Sequence, residues 1–274
     1  MLKRKFINIT IIVILSIFAI ISLYPLFFTF VTSFKNNTEF YSSFWALPSQ
    51  LQWSNYSQIF NSVMNWIKNS GIYSTLNVLL DLAVTSTAGW AFARYNFKFK
   101  EFIFYSIIIF MMIPGILLVV PMYVEVVNLN GINNIWALVL PWTAADAPIG
   151  ILILRRFFQT QPLELFEAAK VDGASEFRVF FQIAIPLAKP ALTTVAILDI
   201  IFTINDFIWP MLIMTKSSLQ PLAVGMLSYS PGSGGSIGWG SVFAAYTLAS
   251  IPMLIFFALF ARQFVEAITE GAIK

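Results

Sequence analysis

The sequence predicts an all-α polytopic membrane protein with six transmembrane helices. Its 274 residues are 58% hydrophobic and only 11% charged, and the mean hydropathy is +0.80, whereas a soluble domain carries roughly 25% charged residues. Six separate stretches supply the roughly 20 apolar residues that a helix needs to cross a bilayer. The basic residues also divide unevenly between the two sides of these stretches, as membrane topology requires.

The six predicted spans are separated by polar connections. They cover Ile7–Val31, Ile72–Ala93, Phe102–Val127, Ile135–Phe158, Gln182–Met214 and Val242–Phe264. The first span follows a basic cluster at residues 3–5, but its apolar run is too long for a signal peptide, and residues 24–26 offer no small-residue cleavage site. We therefore expect a retained N-terminal anchor.

Thirteen of the sixteen Lys and Arg residues fall on one side of this arrangement. They are Lys3, Arg4, Lys5, Arg94, Lys98, Lys100, Arg155, Arg156, Lys170, Arg178, Lys189, Arg262 and Lys274. The other side has Lys35, Lys68 and Lys216. Because positive charge is enriched in cytoplasmic connections, we expect both termini to be cytoplasmic. The net charge of +3 then reflects topology rather than nucleic-acid binding.

The sequence contains no cysteine and no histidine. This composition excludes disulfides, thiolate metal sites and the histidine acid–base chemistry that many enzymes use. We therefore predict no metal site and no catalytic residues.

The spans and connections divide the chain into three parts. They are an N-terminal anchor helix with an external aromatic loop over residues 1–71, a membrane core over 72–265, and a cytoplasmic tail over 266–274. The external loop carries Trp45, Trp53, Tyr56 and Trp66. Aromatic side chains favour the membrane–water interface, so we expect this loop to lie there.

The densest charge in the chain lies in the internal segment Thr160–Phe181. Pro162 suits the first position of a helix, and Gly173 can take the left-handed conformation that ends one. The pattern predicts a short helix, a sharp turn and a second short helix over Ala174–Phe181.

The first of these helices has the features of a contact surface. Leu163, Phe166 and Ala169 share one face. Ala168 and Ala169 lack side-chain bulk, so another protein can approach the backbone closely, and Glu167 beside them offers a carboxylate to an Arg or Lys of that protein. Helix chemistry alone leaves an ordinary solvated amphipathic loop as the alternative.

This loop resembles the EAA loop of permeases in binding-protein-dependent ABC importers. The likeness rests on Glu167-Ala168-Ala169, on Gly173 after three intervening residues and, after nine more, on Ile183-Ala184-Ile185-Pro186. Ile185 stands where the family usually has leucine. Further segments resemble the carbohydrate branch of that family, in particular its maltose-type second permease. They include Tyr24-Pro25, Ser33-Phe34-Lys35, Ala91-Phe92-Ala93-Arg94, Leu154-Arg155-Arg156-Phe157-Phe158 and Leu222-Ala223-Val224-Gly225-Met226.

The resemblance implies a type I ABC importer permease, not an enzyme, that forms half of a sugar-import pathway in a bacterial cell membrane. The implied partners are a second related permease, a cytoplasmic ATPase dimer and an external solute-binding protein. This chain is expected to bind no cofactor, since ATP and Mg belong to the ATPase. The residues expected to couple to the ATPase are Glu167, Ala168, Ala169, Asp172, Gly173, Ile183 and Pro186.

Five acidic residues lie in or near the predicted spans. They are Asp81, Glu125, Asp146, Asp199 and Asp206. An acid at the centre of a membrane helix costs roughly 2.5–3.5 kcal/mol on insertion scales. We therefore expect these side chains to face protein or water.

A polar stripe follows the fifth span. Asp199, Thr203 and Asp206 are spaced by four and three residues and share one helix face, with Asn205 and Trp209 nearby. Hydrogen-bonding groups beside an aromatic ring suit a sugar, so these five residues are the predicted substrate pathway. Contact with neighbouring helices is an equal alternative.

Two other classes of protein would also use intramembrane carboxylates. A proton-coupled carrier or channel is one, and an intramembrane enzyme with paired aspartates is the other. The charged loop argues against a carrier, which has no use for a surface helix that docks an ATPase. Against the enzyme, the chain has no Cys or His, and Asp199 and Asp206 lack the flanking residues expected of such a protease.

Overall fold

The computed structural model describes the backbone of residues 2–229 and 237–270 and the side chains of residues 9–229 and 237–261. The side chains of the predicted tail 266–274, of the basic cluster at residues 3–5 and of Arg262 lie outside the described residues. The described helices are α1 (Leu2–Thr32), α2 (Asn37–Ser42), α3 (Ser54–Arg94), α4 (Lys100–Phe110), α5 (Ile116–Asn128), α6 (Ile135–Thr160), α7 (Leu163–Val171), α8 (Glu176–Val179), α9 (Ile185–Leu187), α10 (Lys189–Asn205), α11 (Ile208–Ile213), α12 (Leu222–Leu227) and α13 (Trp239–Glu270). A π-helical turn (Phe180–Ala184) joins α8 to α9, a 3₁₀ turn covers Ser217–Leu219, and these ranges contain no strand.

Within the described residues, four helices are long and apolar enough to cross a membrane. They are Ile9–Thr32, Ser54–Arg94, Ile135–Thr160 and Trp239–Ala261. A fifth results if Glu176–Leu187 and Lys189–Asn205 form one bent span. The all-helical membrane fold is thus confirmed, whereas the count of six spans stays a prediction.

The third predicted span, Phe102–Val127, is not one helix. α4 ends at Phe110 and α5 begins at Ile116. Pro114 lacks a backbone N–H and disfavours a helical conformation in the residue before it, and Gly115 is a weak helix former. The segment is apolar throughout, so hydropathy gave no sign of the break.

The fifth predicted span, Gln182–Met214, is interrupted twice. The chain turns by 73° between Glu176–Leu187 and Lys189–Asn205, where Pro186 and Pro190 each remove a backbone hydrogen-bond donor. The second break follows Asn205, since Asp206 is extended with ψ 123°. The predicted span is therefore a series of short helices with two changes of direction.

α3 starts well before the predicted second span at Ile72. It contains 41 residues, which correspond to about 60 Å, or twice the roughly 30 Å of a hydrocarbon core. The additional segment is polar overall, but Ile59, Val63 and Trp66 form a buried stripe at helical spacing. An amphipathic pattern therefore extends the helix beyond the apolar stretch that hydropathy detects.

Residues 1–67 and 225–261 form one compact unit. Lys35 is fully buried in it, although lysine is among the residues least often buried. Its ammonium group donates to the carbonyl oxygens of Ser43 and Phe44 at 3.0 and 2.7 Å. These carbonyls follow the C-terminal end of α2, so the buried charge holds that short helix against the segment after α1.

The aromatic residues of the external loop do not share one environment. Trp45 and Trp53 are 75% and 64% exposed, which suits an interface. Trp66 is buried, and a side chain at Gly225 would overlap its indole ring. Trp66 therefore packs inside the first unit rather than on its surface, and the position of the segment at the membrane interface stays a prediction.

Residues 68–224 and 262–274 form the second unit. Within it α3 and α6 cross at very short range. A Cβ atom added to Gly150 would lie 2.6 Å from Thr85 Cγ2, and one added to Gly89 would lie 2.9 Å from Leu154 Cβ. Small residues at such crossings let membrane helices approach backbone to backbone.

Replacing Gly89 or Gly150 with leucine is expected to separate α3 from α6 and to lower the thermal stability of the detergent-solubilised protein. Overpacking of this kind costs about 1–3 kcal/mol. Gly71→Leu is the matched control, because Gly71 lies in α3 with open space around its Cα. Equal melting temperatures for all three variants would contradict the close contact between α3 and α6 at Gly89 and Gly150.

Candidate functional site

The charged loop folds as the sequence predicts around Gly173. α7 covers Leu163–Val171, with Pro162 as its N-cap residue rather than its first helical residue. Gly173 has φ +82°. Its N–H donates to Lys170 O, and the N–H of Ala174 donates to Ala169 O, so α7 ends in a Schellman motif.

The second short helix of the loop begins at Glu176, later than the predicted start at Ala174, and helical structure continues beyond the predicted end at Phe181. Ser175 caps α8 by accepting a hydrogen bond from the N–H of Arg178 at 3.3 Å. The π-helical turn then carries the chain past Phe181, the predicted end, toward Pro186. Ile183 faces the core and Pro186 is exposed.

α7 packs one face against the rest of the protein and leaves the other face exposed. Phe166 is 3% exposed and Ala169 packs beside it, but Leu163, expected on the same face, is 51% exposed. The outer face carries Glu167 and Ala168. Val171 is 87% exposed. Together these three residues form an accessible surface of small and apolar side chains around the Glu167 carboxylate.

Phe177 on α8 is likewise exposed, by 76%. We refer to Glu167, Ala168, Val171, Asp172 and Phe177 as the loop surface. Exposed apolar side chains grouped next to a charge are typical of a protein-binding surface.

The inner side of the loop rests on the C-terminal end of α3. Trp90 is buried and its ring lies 5.0 Å from that of Phe166. The guanidinium carbon of Arg94 lies 4.4 Å from the centre of the Phe166 ring, and its Nη2 donates to Gln161 O at 2.7 Å. The end of α3 therefore contacts both the start and the middle of the loop.

A polar contact holds the turn between α7 and α8. Lys170 Nζ lies 2.5 Å from Glu176 Oε1, and the Tyr95 hydroxyl donates to Glu176 Oε2 at 2.7 Å. The hydrogen bond that Lys170 donates to Glu176 raises the pKa of Lys170. Partial burial raises the pKa of the Tyr95 hydroxyl, and Glu176 raises it further. Glu176 thus joins α7, α8 and the residue after α3.

The intramembrane acids prove to be partly clustered. Asp81 and Asp199 face each other between α3 and α10, and Asp146 of α6 lies near both. All three are buried. Asn77 Nδ2 donates to Asp146 Oδ2 at 3.2 Å, and Thr203 Oγ1 donates to the hydroxyl of Ser74 at 2.8 Å. These contacts join α3, α6 and α10 through polar groups.

The five predicted pathway residues occupy different environments. Asp199 and Thr203 are buried against helices of the same chain, as the alternative of helix contact requires. Trp209 is also buried, and its Nε1 donates to Ala137 O. Asn205 is exposed and its amide donates to Ile201 O of its own helix. Asp206 is half-buried.

Asp206 organises the break between α10 and α11. Its Oδ2 accepts from Trp142 Nε1 at 2.7 Å, and its Oδ1 accepts from the N–H of Ile208 at 3.1 Å. One carboxylate therefore satisfies an indole donor of α6 and a backbone donor at the start of α11. Glu125, in contrast, is exposed on α5.

The described residues contain no group of three or more acidic side chains placed to hold a metal ion. Some relevant residues were not identified from the sequence. Ser74, Asn77 and Thr85 lie at helical spacing on the same face of α3 as Asp81, which was identified, and that polar stripe could have been noticed. Trp90 and Arg94 are spaced by four, which also places them on one face.

The chain resembles known transport proteins in sequence and in fold. The family described as "Binding-protein-dependent transport system inner membrane component" matches residues 85–270. The arabinooligosaccharides transport system permease protein AraQ of Halalkalibacterium halodurans is 31% identical over 93% of this chain and 92% of its own length. The trehalose/maltose transport system permease protein MalG of Thermococcus litoralis is 33% identical over 93% of both chains. A solved bacterial ABC transporter involved in the import of the acidic polysaccharide alginate has a TM-score of 0.80 at 22% identity, covering 96% of this chain and 97% of the other.

Asp206→Ala is expected to lower thermal stability, because Trp142 Nε1 and the N–H of Ile208 lose their acceptor, at a cost of about 1–3 kcal/mol. Asp206→Asn keeps one acceptor oxygen, so its melting temperature should lie between those of Asp206→Ala and the wild type. The neighbouring variant Asn205→Ala is the control, since Asn205 is exposed and bonds only to its own helix. A melting temperature for Asp206→Ala equal to that of the control would rule out this role.

Proposed function

The chain belongs to the family of binding-protein-dependent transport system inner membrane components, whose members are transport permeases and not enzymes, and from this premise we propose that it imports a sugar or oligosaccharide. It forms half of a translocation pathway with a second, related permease. A cytoplasmic ATPase dimer binds ATP and Mg and drives transport, while this chain binds no cofactor. An external solute-binding protein delivers the substrate.

The loop surface carries this proposal. Glu167, Ala168 and Val171 are accessible on one side of α7, whereas Phe166 fixes the other side to the protein. A helix that is held from within and apolar outside can transmit a push from a docked partner. The Glu167 carboxylate offers that partner a site for a charge-assisted hydrogen bond.

The loop is also well connected to the membrane helices. It follows α6 directly and leads through α8, the π-helical turn and α9 into α10. Displacement of α7 by an ATPase therefore acts on both of these helices. Of the seven residues assigned to coupling, Glu167, Ala168 and Asp172 would contact the ATPase, while Ala169 and Ile183 hold the inner side and Gly173 sets the turn.

The substrate class rests on the relatives. AraQ and MalG are named as permeases for arabinooligosaccharides and for trehalose or maltose, and both match nearly the whole chain. Asn205 is the predicted pathway residue whose side chain is most accessible. We place it beside the substrate, whereas Asp199, Thr203, Asp206 and Trp209 shape the pathway by positioning α10 and α11.

Glu167→Lys is expected to abolish uptake of the transported sugar and to weaken copurification of the ATPase, because it reverses the charge of the loop surface. Gly173→Val should act similarly, since a residue with φ +82° strains any β-branched side chain by about 1 kcal/mol or more. Gly173→Asn is the control, because asparagine tolerates this conformation. ATPase binding and transport at the normal rate in both Glu167→Lys and Gly173→Val would remove the coupling assignment.

Topology is testable because the chain has no cysteine. With both termini cytoplasmic, a cysteine in place of Ser49 should react with a membrane-impermeant maleimide added to intact cells. A cysteine in place of Ser175 should react only after the cells are opened. Both serines are exposed, so burial does not block the reagent. Labelling of position 175 in intact cells would contradict the proposed orientation.

A further inference from the structure

We infer that α3 is a third helix driven by the coupling loop, and that Trp90, Arg94 and Tyr95 are the positioning residues that connect it. This inference rests on the proposed function, because it assumes that an ATPase displaces α7. Covalent connections link the loop to α6 and α10 only. The contacts of these three residues add α3, although its sequence position is remote from the loop.

Trp90 contacts α7, the end of α6 that precedes it and the π-helical turn that follows α8. Its ring centre lies 5.2 Å from that of Phe158 at the end of α6, 5.0 Å from that of Phe166 in α7 and 5.9 Å from that of Phe180 in the π-helical turn. The indole is only 6% exposed. Close-packed interiors transmit displacement rather than absorb it, so α7 cannot shift inward or sideways without moving Trp90.

Arg94 lies one helical turn further along α3 and joins two segments. Its guanidinium lies over the Phe166 ring, an arrangement favoured electrostatically. The same group donates to Gln161 O, one of the carbonyls left without a partner where a helix ends. Only a planar guanidinium can stack on the ring and donate sideways to the carbonyl at the same time.

Tyr95 completes the connection on the far side of the turn. Its hydroxyl donates to Glu176, whose other carboxylate oxygen binds Lys170 at the end of α7. The end of α3 is therefore held to the loop before α7, within α7 and after Gly173. Three attachments around a short helix transmit rotation as well as translation.

On the N-terminal side of Trp90, α3 carries the polar residues that contact α6 and α10. Asn77 bonds to Asp146 and Ser74 bonds to Thr203. A movement that enters α3 at Trp90 therefore reaches the buried polar contacts of the membrane core. If the attachment is loosened, ATP hydrolysis should continue while less of its energy moves the helices.

The test uses the complete transporter, with both permeases, the ATPase and the binding protein, reconstituted in lipid vesicles. ATP hydrolysis and uptake of the radiolabelled sugar are measured together. Arg94→Lys keeps the charge but loses the planar fork, and Tyr95→Phe removes one hydroxyl. Each is expected to raise the ATP hydrolysed per sugar imported by about fivefold or more, with the complex still assembled.

Two matched controls remove the same chemical groups from positions outside this contact. Arg156→Lys changes an exposed arginine on α6, and Tyr105→Phe changes a tyrosine that is 58% exposed on α4. Neither should alter the ratio. A general loss of folding would lower the yield of assembled complex without changing the ratio per assembled complex.

An unchanged ratio in both Arg94→Lys and Tyr95→Phe would overturn the inference. Should Arg94→Lys fail to assemble, Tyr95→Phe alone decides the matter. Glu167→Lys, measured in parallel, separates this outcome from failure of the proposed function. A defective Glu167→Lys with normal Arg94 and Tyr95 variants rejects only the role of α3, whereas normal behaviour of both Glu167→Lys and Gly173→Val rejects the coupling loop itself.

Discussion

The close crossing of α3 and α6 is the contact on which the second unit of this protein depends. Gly150 meets Thr85, and Gly89 meets Leu154, with no room for a side chain at either glycine. Because the backbones approach so closely, the polar groups of α3 come within reach of those of α6. The same approach sets Trp90 beside Phe158. A wider separation would leave buried carboxyl groups without neighbours and the loop without its support.

The interruptions of the membrane helices follow from a second constraint. Lipid offers no hydrogen bonds, so backbone groups freed by a break need partners from the protein. At the break after α10 the Asp206 carboxylate is such a partner, because it accepts a hydrogen bond from the backbone N–H of Ile208. It also accepts one from the indole N–H of Trp142. At the bend before α10 the prolines remove donors instead. Acidic residues and prolines in these spans therefore have structural roles in the chain itself.

The loop between α6 and α10 combines a packed interior with an accessible exterior. Phe166 packs against the end of α3, while Val171 and Phe177 remain exposed. The Schellman motif at Gly173 fixes the angle between α7 and α8, and the contact between Lys170 and Glu176 reinforces it. These contacts hold α7 and α8 together, as the proposed transmission of force from a partner requires.

The amino-acid sequence by itself determined the membrane fold, the helix–turn–helix form of the loop and the stop at Gly173. These features depend on local properties: the length of an apolar run, the conformational freedom of glycine and the position of Pro162. Hydropathy could not locate the breaks near Pro114 and Asp206, since the segments on either side of each break are long and mostly apolar. Only the tertiary structure decided that Asp199 faces Asp81, that Trp66 is buried and that Arg94 reaches Gln161. Those contacts join residues far apart in the chain, and their pairing depends on how the helices cross rather than on the spacing within any one of them.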